Sequence, residues 1–243
     1  MAYLENTHRC LSLDLLGFGQ SSQPDITYDI ATEVRFVLAF VEALGLEQVH
    51  LVGHSFGGWV AAAVAIAAPE RVKTLALLAP GGIRDDRFAG RYRWLMPLLW
   101  ETVWVDRLLD WGSPMARRLG WGQQWQFLAW VRGQLLAQPV ARQFLQRRRR
   151  PEDAVDTVEG SLVTISAPTL VLAAEQDDTI PLWHCQTYAA GIPQAQLVLI
   201  PDAPHQLPSQ PEAIGAPLSH FWRHWEDREP DIQLGPMELG PAG

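Results

Sequence analysis

The sequence predicts an α/β fold: a mostly parallel sheet with helices on both faces and a helical segment inserted part-way along the chain. Three observations predict it. Continuously apolar runs of strand length, such as Thr74–Ala79 and Thr169–Ala174, alternate with helical patterns, as strands buried on both faces do. The run Val49-His50-Leu51-Val52 turns into the Ala-rich stretch Trp59–Ala68 through Gly53-His54-Ser55-Phe56-Gly57-Gly58, a strand–turn–helix junction. Between Asp85 and Gly160 the alternation stops and only helix-type patterning remains.

In chain order, Arg9–Leu15 reads as a strand ending at Asp14-Leu15-Leu16-Gly17-Phe18-Gly19. Asp29–Leu44 is an amphipathic helix with Asp29 as cap, Val34, Val37, Leu38 and Val41 on one face, and Gly45 at its end. Gln48–Gly53 is a strand, Phe56–Ala68 a helix closed by Pro69, and Thr74–Ala79 a strand running into Pro80-Gly81-Gly82. Strands at Thr169–Ala174 and Gln196–Ile200 each lead into a loop and then a helix. The expected division is a first core part at 1–84, a helical cap insertion at 85–160, a second core part at 161–225 and a disordered tail at 226–243, rich in Pro, Gly and acidic residues.

Bulk properties narrow the function. A length of 243 residues suits one domain with an insertion, and a net charge of −8 disfavours a nucleic-acid partner. Arg147-Arg148-Arg149-Arg150 is the local exception, read first as a solvated helix end and second as a docking patch for anionic lipid or a partner. Cys10 and Cys185 have neither metal spacing nor a disulfide framework, as for thiols of a reducing compartment. No signal-peptide pattern and no apolar run of membrane-spanning length is visible, so a cytoplasmic protein without stable membrane insertion is expected. His220 and His224 lack the further ligands of a zinc site, and no phosphate loop or dinucleotide fingerprint is present. Neither metal nor cofactor is expected, and the sequence leaves the oligomeric state open.

The chemistry concentrates after strands, where open parallel sheets bind ligands. Gly53-His54-Ser55-Phe56-Gly57 is G-x-S-x-G, in which glycines let strand and helix approach closely and the serine is exposed as a nucleophile. Such a serine needs a base, and the base needs an acid. Glu175, Asp177 and Asp178 follow one late strand, and His205 follows the next. Seven of the eleven tryptophans, Trp94, Trp100, Trp104, Trp111, Trp121, Trp125 and Trp130, lie in the 85–160 segment. Packing is the plainer reading of any one, but a small insertion has little interior. Trp94, Trp100 and Trp104, with His54, are therefore the candidates for an apolar pocket under a lid.

Asp14–Ser21 (D-x-x-G-x-G-x-S), Gly53–Gly58 and Ala174–His205 together resemble the α/β-hydrolase superfamily, in its cap-bearing esterase, lipase and haloperoxidase-like branch. The resemblance covers about Arg9 to Trp225 and implies a Ser–Asp–His triad. It selects Asp177 as the acid, three residues after Ala174, where the family usually has Gly, and four before Pro181; Asp178 is the fallback. Pro204 stands where Gly usually precedes the histidine. The implied activity is hydrolysis of an apolar carboxylic ester or related acyl substrate, with Ser55 as nucleophile, His205 as base, Asp177 as orienting acid and the Phe56 N–H as an oxyanion donor. Carbon–carbon hydrolysis, perhydrolysis and acyl transfer use the same triad. The family also has strands ahead of the Arg9 strand, one of them between it and the Gln48 strand, and a His-Gly loop giving a second oxyanion donor. None is visible here, so Met1 is expected to be an internal methionine or the chain N-terminally truncated. A non-catalytic binding protein of the same fold is the alternative from another class.

Overall fold

The computed structural model of the chain describes residues 5, 7–87, 97–100, 102–147 and 153–226. Its frame is a four-stranded, all-parallel sheet in the order β1-β2-β3-β4, formed by β1 (Val49–His54), β2 (Val72–Leu78), β3 (Thr169–Ala174) and β4 (Ala195–Ile200). Strand order follows chain order, so every connection crosses over through a helix or a longer segment. The helices are α1 (Ile30–Ala43), α2 (Phe56–Ala67), α3 (Val103–Arg118), α4 (Gly122–Ala137), α5 (Pro139–Arg147), α6 (Leu182–Gly191) and α7 (Pro211–Glu226).

Alternation along the two central strands builds two cores. Leu75, Leu77, Val171 and Ala173 point to the face covered by α1, α2 and α6. Ala76, Leu78, Leu170, Leu172 and Ala174 point to the opposite face, where Leu218, Phe221 and Trp222 of α7 cover them. β3 is buried at all six positions, which explains its unbroken apolar sequence. On the second face one helix cannot cover four strands, and Val52 of the edge strand β1 remains 42% exposed.

Local chemistry sets the helix ends. The Asp29 carboxylate accepts the Thr32 N–H at 2.8 Å, capping α1. Gly45, at φ +65°, ends it. Glu33 of the same helix is fully buried; its Oε2 accepts the Leu16 N–H at 3.1 Å, pinning the loop after residue 15.

The Arg9–Leu15 strand expected from sequence is not formed. Leu13 and Leu15 pack against the first core, yet the sheet ends at β1, and no described strand lies beside 9–15 to pair with it. An apolar segment without a neighbour has no ladder to join. The other strands agree with the sequence to within two residues, β2 starting at Val72 and β4 at Ala195.

Within 85–160, α3 and α4 form an antiparallel pair fastened by Arg132. This guanidinium, 2% exposed, makes a two-pronged bond to Asp106 at 2.6 and 2.8 Å and donates to the carbonyls of Leu98, Trp100 and Thr102. Helix α5 then seats the segment on the core. Gln143 exchanges hydrogen bonds with the main chain of Tyr28 and Ile26, and Arg147 donates to the Thr27 hydroxyl. Residues 148–150 of the arginine run, and the tail beyond Glu226, lie outside the described residues.

Candidate active site

Gly53, the one buried residue of β1, cannot carry a side chain, because a Cβ there would collide with the Gly57 carbonyl. A Cβ on Gly58 would meet Pro80 and the Gly53 carbonyl, whereas one on Gly57 would meet nothing within 4 Å. The close approach of strand and helix thus rests on Gly53 and Gly58. Between them Ser55 adopts φ 54°, ψ −116°, a conformation that costs a non-glycine residue roughly 1–3 kcal/mol and persists only where its surroundings impose it. Three hydrogen bonds impose it. The Ser55 N–H donates to Leu78 O at 2.9 Å, and its carbonyl accepts from Gly81 N at 3.0 Å and Trp59 N at 3.1 Å.

His205 comes from the loop after β4 and Asp177 from the loop after β3. His205 Nε2 lies 2.9 Å from Ser55 Oγ, and His205 Nδ1 lies 2.8 Å from Asp177 Oδ2. The carboxylate's other oxygen accepts the N–H groups of Thr179 at 2.8 Å and Ile180 at 2.7 Å. Burial alone would raise the pKa of Asp177; the hydrogen bonds from His205, Ile180 and Thr179 outweigh it and hold the group below the ordinary carboxylate range. Asp177 therefore stays ionised, so Nδ1 must donate to it and Nε2 is left to accept the serine proton. The neighbouring Asp178 carboxylate accepts the Thr179 hydroxyl at 3.1 Å.

The acid and base loops are tied to each other. Glu175 N and Gln176 N donate to the carbonyls of Ile200 and Ala203, Glu175 Oε2 accepts the Asp202 N–H, and the Gln176 amide donates to the Asp202 carboxylate. His54 adds a tie from the nucleophile's own strand, with Nε2 2.8 Å from the His205 carbonyl oxygen. A carbonyl can only accept, so Nε2 carries the proton. Burial keeps this imidazole neutral by lowering its basicity. Among the other histidines, His50 bonds Thr74, His8 lies edge-on to His50 and tilted against Trp222, His184 lies 3.7 Å from Asp85, His224 meets Trp225 edge-on, and His220 is exposed on α7.

The Phe56 N–H opens α2 directly after the serine, among the donors that a helix start leaves without an intrahelical partner. Around Phe56 stands an aromatic wall that sequence reasoning missed. Phe18 lies 5.7 Å from its ring, Trp59 6.1 Å and Phe144 6.2 Å. Phe18 is placed by the tight loop of the D-x-x-G-x-G-x-S motif, in which Gln20 N and the Ser21 hydroxyl bond Asp14. Phe144 arrives on α5. The motif carried a signal for Phe18, its intervening residue, but nothing local marked Phe144. Of the proposed pocket residues, Trp100 and Trp104 are 62% and 72% exposed and bond none of Ser55, Asp177 or His205. Trp94 lies outside the described residues.

The model of the alpha/beta hydrolase fold family matches residues 1–208. The chain is 33% identical over 205 residues to 2-hydroxymuconate semialdehyde hydrolase from Pseudomonas putida, covering 79% of this chain and 68% of that one. The enzyme of the same name from Pseudomonas sp. strain CF600 is 32% identical over 211 residues, covering 81% and 70%. Among solved structures, a meta-cleavage product hydrolase from Pseudomonas fluorescens IP01 superposes with a TM-score of 0.67 at 23% identity, covering 92% of this chain and 82% of that one, a likeness of fold.

Proposed function

This chain belongs to the alpha/beta hydrolase fold family, and from that premise we propose that it is a serine hydrolase of carboxylic esters or related acyl compounds. One observation carries the proposal: the unbroken line Ser55 Oγ, His205 Nε2, His205 Nδ1, Asp177 Oδ2, with contacts of 2.9 and 2.8 Å, on a serine held at positive φ. Ser55 Oγ attacks the substrate carbonyl while His205 Nε2 takes its proton. The Phe56 N–H stabilises the oxyanion at the start of α2. Collapse of the tetrahedral adduct leaves an acyl-Ser55 and expels the alcohol, which takes its proton from His205. Water, deprotonated by the same nitrogen, attacks the acyl group; the carboxylic acid leaves and Ser55 regains its proton. Phe18, Trp59 and Phe144 beside Phe56 favour an apolar group on the substrate.

A second reading draws on the relatives, both named as 2-hydroxymuconate semialdehyde hydrolases. In a carbon–carbon hydrolysis the triad would act on a ketone, and His205 would protonate a carbon leaving group in place of an alcohol. Both readings need an activated serine.

The test has two stages. A fluorophosphonate probe should label Ser55, identified by mass spectrometry, and Ser55→Ala should abolish labelling. Turnover of short p-nitrophenyl esters then supports the ester reading, whereas turnover of 2-hydroxymuconate semialdehyde without ester cleavage moves the assignment to the second. A chain that is neither labelled nor active on either substrate is a binding protein of this fold.

A further inference from the structure

Helix α3 wears its large apolar side chains on the outside. Trp104, Leu108, Trp111 and Met115 recur at spacings of four, three and four, which at about 100° per residue places them within an arc of roughly 60°. They are 72%, 63%, 87% and 65% exposed, and Leu119, one residue past the helix, continues the stripe. The inward side carries half-buried Val105 and Leu109, buried Ala116, and Gly112, against which the Trp125 indole of α4 packs. Helix α4 adds Phe127 and Trp130, also more than half exposed, with rings stacked 6.0 Å apart. An apolar stripe of this length is costly in water unless something covers it in function.

The charge around it says what that is. Residues 103–137, which form α3 and α4, contain four arginines against two aspartates, a local net of +2 in a chain of net −8. Arg107 and Arg118 flank the stripe within roughly 70° of its centre, and the Arg107 guanidinium lies 5.2 Å over the Trp104 ring. Asp106 is already bonded to Arg132. Indole rings bordered by arginines form the pattern of a helix lying in a bilayer interface, with its apolar face at the acyl boundary and its cations on lipid phosphates. A second copy of the chain fits less well, because a two-fold contact would press two faces of net positive charge together.

We propose that the outer face of α3 docks this protein peripherally on an anionic phospholipid bilayer. No described helix is long and apolar enough to cross a membrane, so the contact is one of surface binding. The inference stands independently of the triad chemistry.

Flotation of the full chain with vesicles tests it, using phosphatidylcholine containing about one third phosphatidylglycerol against phosphatidylcholine alone. Binding to the anionic vesicles should exceed binding to the neutral ones roughly tenfold or more and weaken with salt. Trp111→Ser/Met115→Gln and, separately, Arg107→Glu/Arg118→Glu should each lower it roughly tenfold. All four positions are exposed, and circular dichroism would verify that both variants fold. Absence of flotation, flotation unchanged in the Trp111→Ser/Met115→Gln variant, or equal binding to neutral vesicles would overturn the proposal. So would a dimer in sedimentation, without vesicle binding, that the same variant dissolves; the face would then be a self-association surface.

Discussion

At the scale of single residues, Asp177 and His54 do different work on one imidazole. Asp177 fixes the Nδ1–H tautomer through its carboxylate, while an asparagine there could present its amide N–H to the same nitrogen and impose the opposite tautomer. Asp177→Asn is therefore expected to lower kcat by roughly 10³–10⁴ with little change in folding, read from steady-state turnover. His54 holds the base through its backbone, donating to the His205 carbonyl. His54→Phe removes that donor and should cost about tenfold in kcat/KM. His54→Gln carries an amide N–H of similar reach and should recover most of the loss. The recovery, with a shift in the pH profile in the phenylalanine variant only, distinguishes positioning from packing. Ser55, Asp177 and His205 were legible in the sequence because each follows a strand in a parallel sheet, where strand ends converge. The choice of Asp177 over Asp178 rested on the family's spacing to Ala174 and Pro181, since composition leaves two neighbouring carboxylates in one loop. The N–H groups of Thr179 and Ile180, which turn Asp177 inward, are a property of the folded loop.

At the scale of elements, the strand–turn–helix junction makes a prediction that its motif obscures. Gly57 belongs to G-x-S-x-G but has open space where a Cβ would go, while Gly53 has backbone there. Gly57→Ala should leave thermal stability unchanged or raise it by about 0.5–1 kcal/mol, the usual gain of alanine over glycine within a helix. Gly53→Ala should destabilise the fold severely, because the displaced atom is main chain and cannot swing aside. Thermal denaturation of the two variants decides it. The same scale shows where sequence patterning fell short. A run such as Arg9–Leu15 has the composition of a strand, but a strand exists only with a neighbour, and composition does not supply one. In α3 the apolar periodicity was real and its direction misleading. Helical spacing shows that Trp104, Leu108, Trp111 and Met115 share a face; only the small inner residues Gly112 and Ala116, which let α4 approach, show that this face points outward.

At the scale of the whole molecule, stability should follow the proton on Glu33. The side chain is fully buried, its Oε1 has no hydrogen-bond partner among the described residues, and burial, with Asp29 nearby, pushes its pKa from 4.5 up to about 7. Because the folded state holds this proton more tightly than the unfolded one, the group's contribution is fully present below about pH 4.5 and is lost as pH rises through about 7. Glu33→Gln should therefore raise unfolding stability by about 1–3 kcal/mol near pH 8 and change it little near pH 5, measured by denaturant titration. The division of the site between distant parts of the chain has a consequence in time. Acid and base are 28 residues apart and their loops are laced together, whereas base and nucleophile are 150 residues apart. During synthesis the serine emerges early as an ordinary alcohol, and it stays one until nearly the whole core has left the ribosome and closed around it. Activation of the serine would thus be a late readout of complete folding: a nascent chain carries Ser55 without its base, and a chain opened between the two keeps the Asp–His pair with no serine beside it.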